Sequence, residues 1–233
     1  MFVYRHDPDA DLGVGVAFTS AALDLSDRQD AGARRVAYDR LCRAIGVPVA
    51  VARQVHGDRV VVATAQPDSR GLVDLTRLEA DALVTTQRGL GVAVRVADCV
   101  PILVADEGGT VAAAVHAGRE GLLSGVIGRA LDAVQEASPG PWRAWVGPHI
   151  CAACYEVPEA MAADAAARLG TSVPTTRWGT SGIDLGAAAL LQLRARDVSV
   201  TAVAACTLED ARLHSHRRDP AAGRLAAVIW LAP

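Results

Sequence analysis

No lysine and no asparagine occur in the 233 residues, so the whole cationic complement is 23 arginines. Without lysine, Schiff-base catalysis, a pyridoxal site and a P-loop are excluded, because each needs an ammonium at the reacting or phosphate-binding position. A GC-rich coding sequence suffices to explain the bias. Its chemical consequence stands either way: a phosphate or carboxylate must be held by arginine or by main-chain amides. The opening MFVYRHDPDADLG carries charge where a signal peptide is apolar, and no apolar run approaches the roughly 20 residues needed to span a bilayer. The expectation is a cytoplasmic protein with no membrane partner. Five cysteines, an odd number in no regular framework, are expected to be reduced thiols. A formal net charge of -3 with no basic block removes the electrostatic reason for a nucleic-acid partner.

With 51% hydrophobic residues, the chain has enough apolar material for one substantial core, so a single domain over 1–233 is expected. Val14 to Phe18 reads as a strand. A helix follows from about Asp27 to Ile45, with Ser26 and Gln29 spaced as a capping box, Val36, Leu41 and Ile45 on its apolar face, and Gly46 as its stop. Cys42 near that face reads as a small buried hydrophobe. Val49 to Val55 and Arg59 to Ala63 suggest a β-hairpin around His56, Gly57 and Asp58. Gln66 to Leu78 reads as a loop and Ala80 to Thr85 as a strand. The stretch VAVRVADCVPILVADEGGTVAAAVHAG, Val92 to Gly118, reads as two buried strands, one closing at Cys99 and the other at His116. Pro101 suggests that the first stops near Asp98 and Cys99, which then face a cleft. Arg95, a cation in an apolar strand, needs a partner, for which Asp98 or Asp81 is available. One long helix is expected after Gly118, with Leu122, Val126, Ile127, Leu131 and Val134 on its buried stripe. Trp142 to Gly147 reads as a strand, Pro158 opens a helix that Gly170 ends, and Asp184 caps another running to Arg196. Val198 to Ala204 and Leu225 to Leu231 close the pattern. Alternating strands and helices point to an α/β fold, a three-layer α/β/α sandwich with a mixed β-sheet.

Three residues from separate elements form a candidate metal set: His56 in QVHG, Cys99 in ADC and His116 in VHAG. Each has a plain alternative, a polar loop histidine or a buried thiol; together, one sulfur and two imidazoles would leave a metal one open position. CAAC, Cys151 to Cys154, has the spacing of a thioredoxin-like pair or half a zinc knuckle, and no second CxxC completes a four-cysteine site. The run His214, Ser215, His216, Arg217 and Arg218 is either a solvated charge run or, in a chain without lysine, the best phosphate clamp. Gly118 and Gly121 leave bare backbone at a helix start, a weak anion-site signal.

QVHG, ADALVT, ADCVPILVAD, VHAG, WVGPHI, CYEV, IDLG, CT followed by SHRRD, and AGR occur in one order, and in this the chain resembles the YfiH-type laccase-domain family, bacterial purine nucleoside phosphorylases once described as polyphenol oxidases. The resemblance implies a YfiH-like fold and zinc, with copper as the other candidate, on His56, Cys99 and His116. It implies phosphorolysis of adenosine, inosine, guanosine and methylthioadenosine, with deamination of adenosine alongside. Two departures accompany it: Arg119, Glu120 and Gly121 follow HAG where family members usually have Trp, Arg and Gly, and SAALDLSD follows the early FT without the usual arginine and glycine pair.

On this reading Arg217, Arg218, Arg119 and the amides near Gly118 orient phosphate. Asp98 or Glu156 acts as base or steadies the developing positive sugar, and zinc acidifies a water for attack at the purine C6. The partners are a purine nucleoside and phosphate, and the protein is expected as a monomer or weak homodimer. The alternatives are copper-dependent phenol oxidation, for which six histidines are too few to build a multicopper cluster, a metal-free hydrolase with Cys99 as nucleophile and His116 as base, and a non-catalytic zinc protein whose metal has four protein ligands.

Overall fold

The computed structural model describes residues 1–9, 11–66 and 71–233. From the N-terminus, β1 (Phe2–His6) and β2 (Val14–Thr19) lead to α1 (Ala31–Ile45). Four strands follow, β3 (Val49–Arg53), β4 (Val60–Val62), β5 (Leu72–Glu79) and β6 (Ala82–Thr85). Next come β7 (Gly91–Val96), β8 (Val100–Asp106) and β9 (Ala112–Ala117), then α2 (Arg119–Ser124), α3 (Val126–Ala137) and β10 (Trp142–Val146). The chain finishes with α4 (Glu159–Leu169), α5 (Leu185–Arg194), β11 (Ser199–Ala202) and β12 (Leu225–Leu231).

These strands form two six-stranded sheets, ordered β1-β2-β12-β7-β3-β5 and β11-β10-β8-β9-β6-β4. Both are mixed: β3 runs parallel to β5 and β7, β4 to β6 and β10 to β11, and the remaining neighbours are antiparallel. Val14, Val16, Phe18 and Ile229 of the first sheet meet Leu83, Leu103, Ala114 and Trp145 of the second in a continuous apolar seam. On the outer face of the first sheet, Tyr38 and Leu41 of α1 pack on Val49, Val51 and Trp230. On the outer face of the second, Ile127, Leu131 and Val134 of α3 and Leu193 of α5 cover Ile102, Val104 and Val115. The expected α/β class with mixed strands and helices on both faces is therefore present, and the strand layer is doubled. A strand buried on both faces reads alike whether a helix or a second sheet covers it, and β7, β8 and β9 are buried at every residue.

Several local expectations are corrected. Asp30, whose carboxylate accepts from the Gly32 and Ala33 amides at 2.9 and 3.0 Å, caps α1 in place of Ser26. The buried face of α1 is Ala37, Tyr38, Leu41, Cys42 and Ile45, while Val36 is exposed. Gly46 ends the helix at φ 81°, as its lack of a Cβ permits. No hairpin joins the strands flanking His56: β3 belongs to one sheet and β4 to the other, so the QVHG turn passes between sheets. The loop expected over Gln66 to Leu78 is a strand from Leu72 onward, and residues 67–70 lie outside the described residues. The first strand of the Val92 to Gly118 stretch does stop short of Asp98 and Cys99, as β7 ends at Val96, but the stretch holds three strands instead of two: Pro101 is the second residue of the additional β8, where a missing ladder donor is tolerated near the strand end. The long helix after Gly118 is broken by Gly125 at φ 87° into α2 and α3. Among the described residues no helix is long and apolar enough to cross a membrane.

Candidate metal centre

The crossing between sheets puts His56 beside the ends of β8 and β9. In their antiparallel register Pro101 stands opposite His116 and Val100 opposite Ala117, so Cys99 falls next to Gly118. Ring nitrogens of His56 and His116 and the Cys99 sulfur all lie within 4.8 Å of one another. The two imidazoles meet edge to face, centroids 4.7 Å apart. A Cβ on Gly118 would stand 3.0 Å from the His56 ring and 3.1 Å from the Cys99 sulfur. Glycine is there because the two ligands converge against its backbone.

Asp81, fully buried at the entrance to β6, assembles this group. Its carboxylate accepts from the amides of Val55, His56 and Gly57 at 3.1, 3.0 and 2.8 Å, which holds His56 at its positive φ of 62°. The same carboxylate lies 2.7 Å from His116 Nδ1, and the Asp81 carbonyl accepts from the His116 amide at 2.7 Å. With Nδ1 engaged, His116 turns Nε2 toward the other two ligands, the arrangement a carboxylate imposes on a metal-binding histidine. Gln54 fixes the approach from β3 by exchanging hydrogen bonds with the Arg95 main chain, each 2.8 Å long.

Charge is distributed accordingly. Burial alone would raise the Cys99 thiol, but His116 and His56 outweigh it and bring it down to about 6. Burial would lower His116, but the Cys99 thiolate and the Asp81 carboxylate outweigh it and lift it to about 9. Near neutrality the metal-free pair is a thiolate beside an imidazolium. A soft thiolate and two imidazoles suit zinc or copper, and no fourth histidine, cysteine or carboxylate joins them among the described residues. Such a set leaves an ion open to a substrate.

The centre lines a cleft of about 620 Å³. Arg28, Arg95, Arg119, Arg217 and Arg224 border it against three carboxylates, Asp27, Asp98 and Glu120. Arg95 is neutralised within the protein, paired with Asp27 and donating to the Ala52 carbonyl at 2.7 Å, so neither Asp98 nor Asp81 is its partner. Arg217 lies over the Tyr155 ring at 5.2 Å and donates to the Glu156 carbonyl at 2.9 Å. Burial and the neighbouring Arg28 cation lower the pKa of Arg224, a sign of positive charge gathered on that wall.

Of the residues singled out in the sequence, His56, Cys99, His116, Asp98, Arg119, His216 and Arg217 line this cleft, and Gly118 backs His56 and Cys99. Asp98 has both oxygens engaged, accepting from the Thr207 hydroxyl at 2.6 Å and the Arg217 amide at 2.7 Å. Glu156 is exposed and borders a different depression with Pro158, Thr175 and Ser181. It forms a bridge with Gly182, and the alternation of side chains there sends Tyr155 into the cleft and Glu156 away from it. Arg218 is no free clamp: it donates to the carbonyls of Thr207 at 2.9 Å, Leu208 at 3.1 Å, Asp210 at 3.4 Å and Leu213, and so braces its own loop. Sequence reasoning missed the orienting role of Asp81, the cleft arginines Arg28 and Arg224, and Tyr155. An aspartate entering an apolar strand, in ADALVT, was the available signal for the first. CAAC occupies a turn with no helix start to activate a thiol, and burial together with neighbouring thiols pushes Cys154 up to about 12, against a thioredoxin-like nucleophile.

The family model described as multi-copper polyphenol oxidoreductase laccase matches residues 13–232. A Corynebacterium glutamicum protein named purine nucleoside phosphorylase is 40% identical over 219 residues, covering 91% of this chain and 87% of the relative. A Mycobacterium bovis protein of the same name is 44% identical over 198 residues, covering 82% and 77%. Among solved structures, a Neisseria meningitidis protein of the DUF152 family has a TM-score of 0.80 at 30% identity, covering 98% of this chain and 99% of that one. YfiH of Bacillus licheniformis, at 23% identity and a TM-score of 0.79 over 94% of this chain and 92% of that one, shares the fold. The chain belongs to the multi-copper polyphenol oxidoreductase laccase family, the group that includes the YfiH and DUF152 proteins.

Proposed function

We propose that the protein is a zinc-dependent purine nucleoside phosphorylase, cleaving adenosine, inosine, guanosine or methylthioadenosine with phosphate to the free base and the corresponding sugar 1-phosphate. The observation that carries this reading is the three-ligand group of His56, Cys99 and His116 on a cleft bordered by Arg28, Arg119, Arg217 and Arg224. A volume of about 620 Å³ suits a nucleoside and an anion together. The relatives' name supports it.

Phosphate is already anionic, so its attack on the sugar C1 needs orientation and charge compensation more than a base. Arg217, held on Tyr155, supplies positive charge, with Arg119, which pairs with Glu120, and Arg28 and Arg224 also bordering the cleft. Asp98 holds the Arg217 main chain in place, so its role is positioning. When bound, zinc on His56, Cys99 and His116 supplies Lewis acidity at one open position, which adenosine deamination also requires. The Cys99 thiolate requirement and the five free thiols suit a reducing cytoplasm.

The thiolate and imidazolium of Cys99 and His116 favour a second reading, metal-free hydrolysis by a cysteine nucleophile. Both are tested by incubating metal-analysed protein with adenosine, with and without phosphate, and identifying products. Adenine formed only with phosphate is the expected result, and inosine formed alongside reports deamination. Turnover that survives complete metal removal supports the hydrolase, and no purine product under any condition overturns the phosphorylase.

A further inference from the structure

Outside the cleft, a second group of metal-ligating side chains, three thiols and a carboxylate, has no part in the chemistry above. Sulfurs of Cys151, Cys154 and Cys206 and a carboxylate oxygen of Glu209 lie within 4.8 Å of one another. Two distant segments build it. Cys151 and Cys154 flank a tight turn in which the Cys154 and Tyr155 amides donate to the Cys151 carbonyl at 2.9 and 3.0 Å. Cys206 reaches them through a parallel bridge to His149, whose amide donates to the Ala205 carbonyl at 3.2 Å and whose carbonyl accepts from the Thr207 amide at 3.0 Å. The chain then turns back, Glu209 and Asp210 donating to the Cys206 carbonyl at 3.2 and 2.9 Å, and this returns Glu209 to the thiols. Cys154 is fully buried, Cys206 is 9% exposed, and Ile150 packs beside them.

We propose that Cys151, Cys154, Cys206 and Glu209 bind a second zinc ion, as a closed structural site separate from the centre at Cys99. Tetrahedral zinc with bonds of about 2.3 Å to sulfur sets its sulfurs about 3.8 Å apart, within the spread of these donors. Four protein ligands leave no open position, the mark of a structural site. Glu209 also pairs with Arg177, whose amide donates to Ala153 between the two cysteines at 2.9 Å. A carboxylate has two oxygens and serves both. Binding releases the three thiol protons to solvent. The ion ties the 151–155 turn to the loop that carries Thr207, which holds Asp98, and Arg217, which lines the cleft. It braces the cleft without touching substrate.

The test uses the full chain with Cys99→Ser, which removes the only thiol of the cleft centre. After chelation under reducing conditions, cadmium is titrated in as a thiolate-reporting probe. One equivalent should give a charge-transfer band of three-thiolate intensity, and adding Cys151→Ser, a partly exposed position, should cut the band by about a third and weaken binding at least tenfold. Wild-type protein purified in zinc should carry two equivalents, falling to one in Cys206→Ser. Absence of the band in Cys99→Ser, a band that Cys151→Ser leaves unchanged, or a two-hydrogen mass deficit on the peptide bearing Cys151 and Cys154 would overturn the site.

Discussion

The carboxylate of Asp81 and the imidazole of His116 are 2.7 Å apart, both buried, and the same carboxylate collects the three amides that fold the chain around His56. One side chain thus positions two of the three candidate metal ligands, although one stands in β9 and the other in the turn that crosses between the sheets. Asp81→Asn should lower metal affinity about ten- to a hundredfold, since the orienting acceptor on His116 is weakened. Asp81→Ala should in addition cost about 2–4 kcal/mol of stability, because the amides it collects lose their acceptor. Metal titration and denaturant unfolding measure the two effects. An unchanged affinity in Asp81→Asn would contradict the role.

The ionisation of the metal-free centre is measurable through Cys99. Its pKa is lowered from 9.0 to about 6, so its contribution to stability is complete above 9 and fades as pH falls toward 6. That of His116 is raised from 6.5 to about 9, so its contribution is complete below 6.5 and fades as pH rises toward 9. The slopes oppose each other over one window, because the proton leaving sulfur stays on nitrogen, and the pair makes stability nearly flat between about 6.5 and 9. Reactivity is not flat: iodoacetamide should label Cys99 of chelator-treated protein with a midpoint near 6, moved upward in His116→Gln. Peptide mass spectrometry reads the labelling. A midpoint near 9 in the unsubstituted chain would contradict the pairing.

A Cβ on Gly118 would stand 3.0 Å from the His56 ring and 3.1 Å from the Cys99 sulfur, so both side chains must give way by a few tenths of an ångström to admit it. Its backbone is extended, at φ -79°, so Gly118→Ala introduces no backbone strain. The expected outcome is an intact fold with metal affinity reduced about tenfold or more, since the ligands must spread to admit the methyl. Metal content and melting temperature, measured on the same sample, separate these effects.

Arg217 and Arg218 are neighbours with different tasks. Arg217→Ala should raise the phosphate KM about tenfold with little change in melting temperature, through loss of a charge-assisted contact. Arg218→Ala should instead destabilise the loop by about 1–2 kcal/mol, since it holds four carbonyls in place. Steady-state kinetics over a range of phosphate, paired with thermal unfolding, tells the two apart.

The convergence of His56, Cys99 and His116 is legible in sequence because each stands where an apolar strand gives way to a turn: His56 after β3, Cys99 between β7 and β8, and His116 next to the last residue of β9. Asp81 was harder to see, since only the fold shows that its carboxylate reaches both a turn and a histidine 35 positions on. β5 escaped notice because it edges its sheet, and edge strands carry charges such as Asp74, Arg77 and Glu79 that read as loop. The sequence around His56 suggests a hairpin because two short strands separated by a glycine turn look alike whether they pair with each other or, as here, join different sheets. Glu156 and Arg218 were placed by motif, and side-chain direction, which sequence spacing does not encode, sends one to another face and the other into its own loop.

The central claim is that metal held by His56, Cys99 and His116 is required for phosphate-dependent cleavage. The most direct measurement is the rate of adenine release from adenosine and phosphate by wild-type protein and Cys99→Ala, each with its metal content determined. Wild type should release adenine with metal in the cleft, and Cys99→Ala should lose that metal equivalent and the turnover together. Adenine released at the wild-type rate by protein lacking that metal would contradict the account.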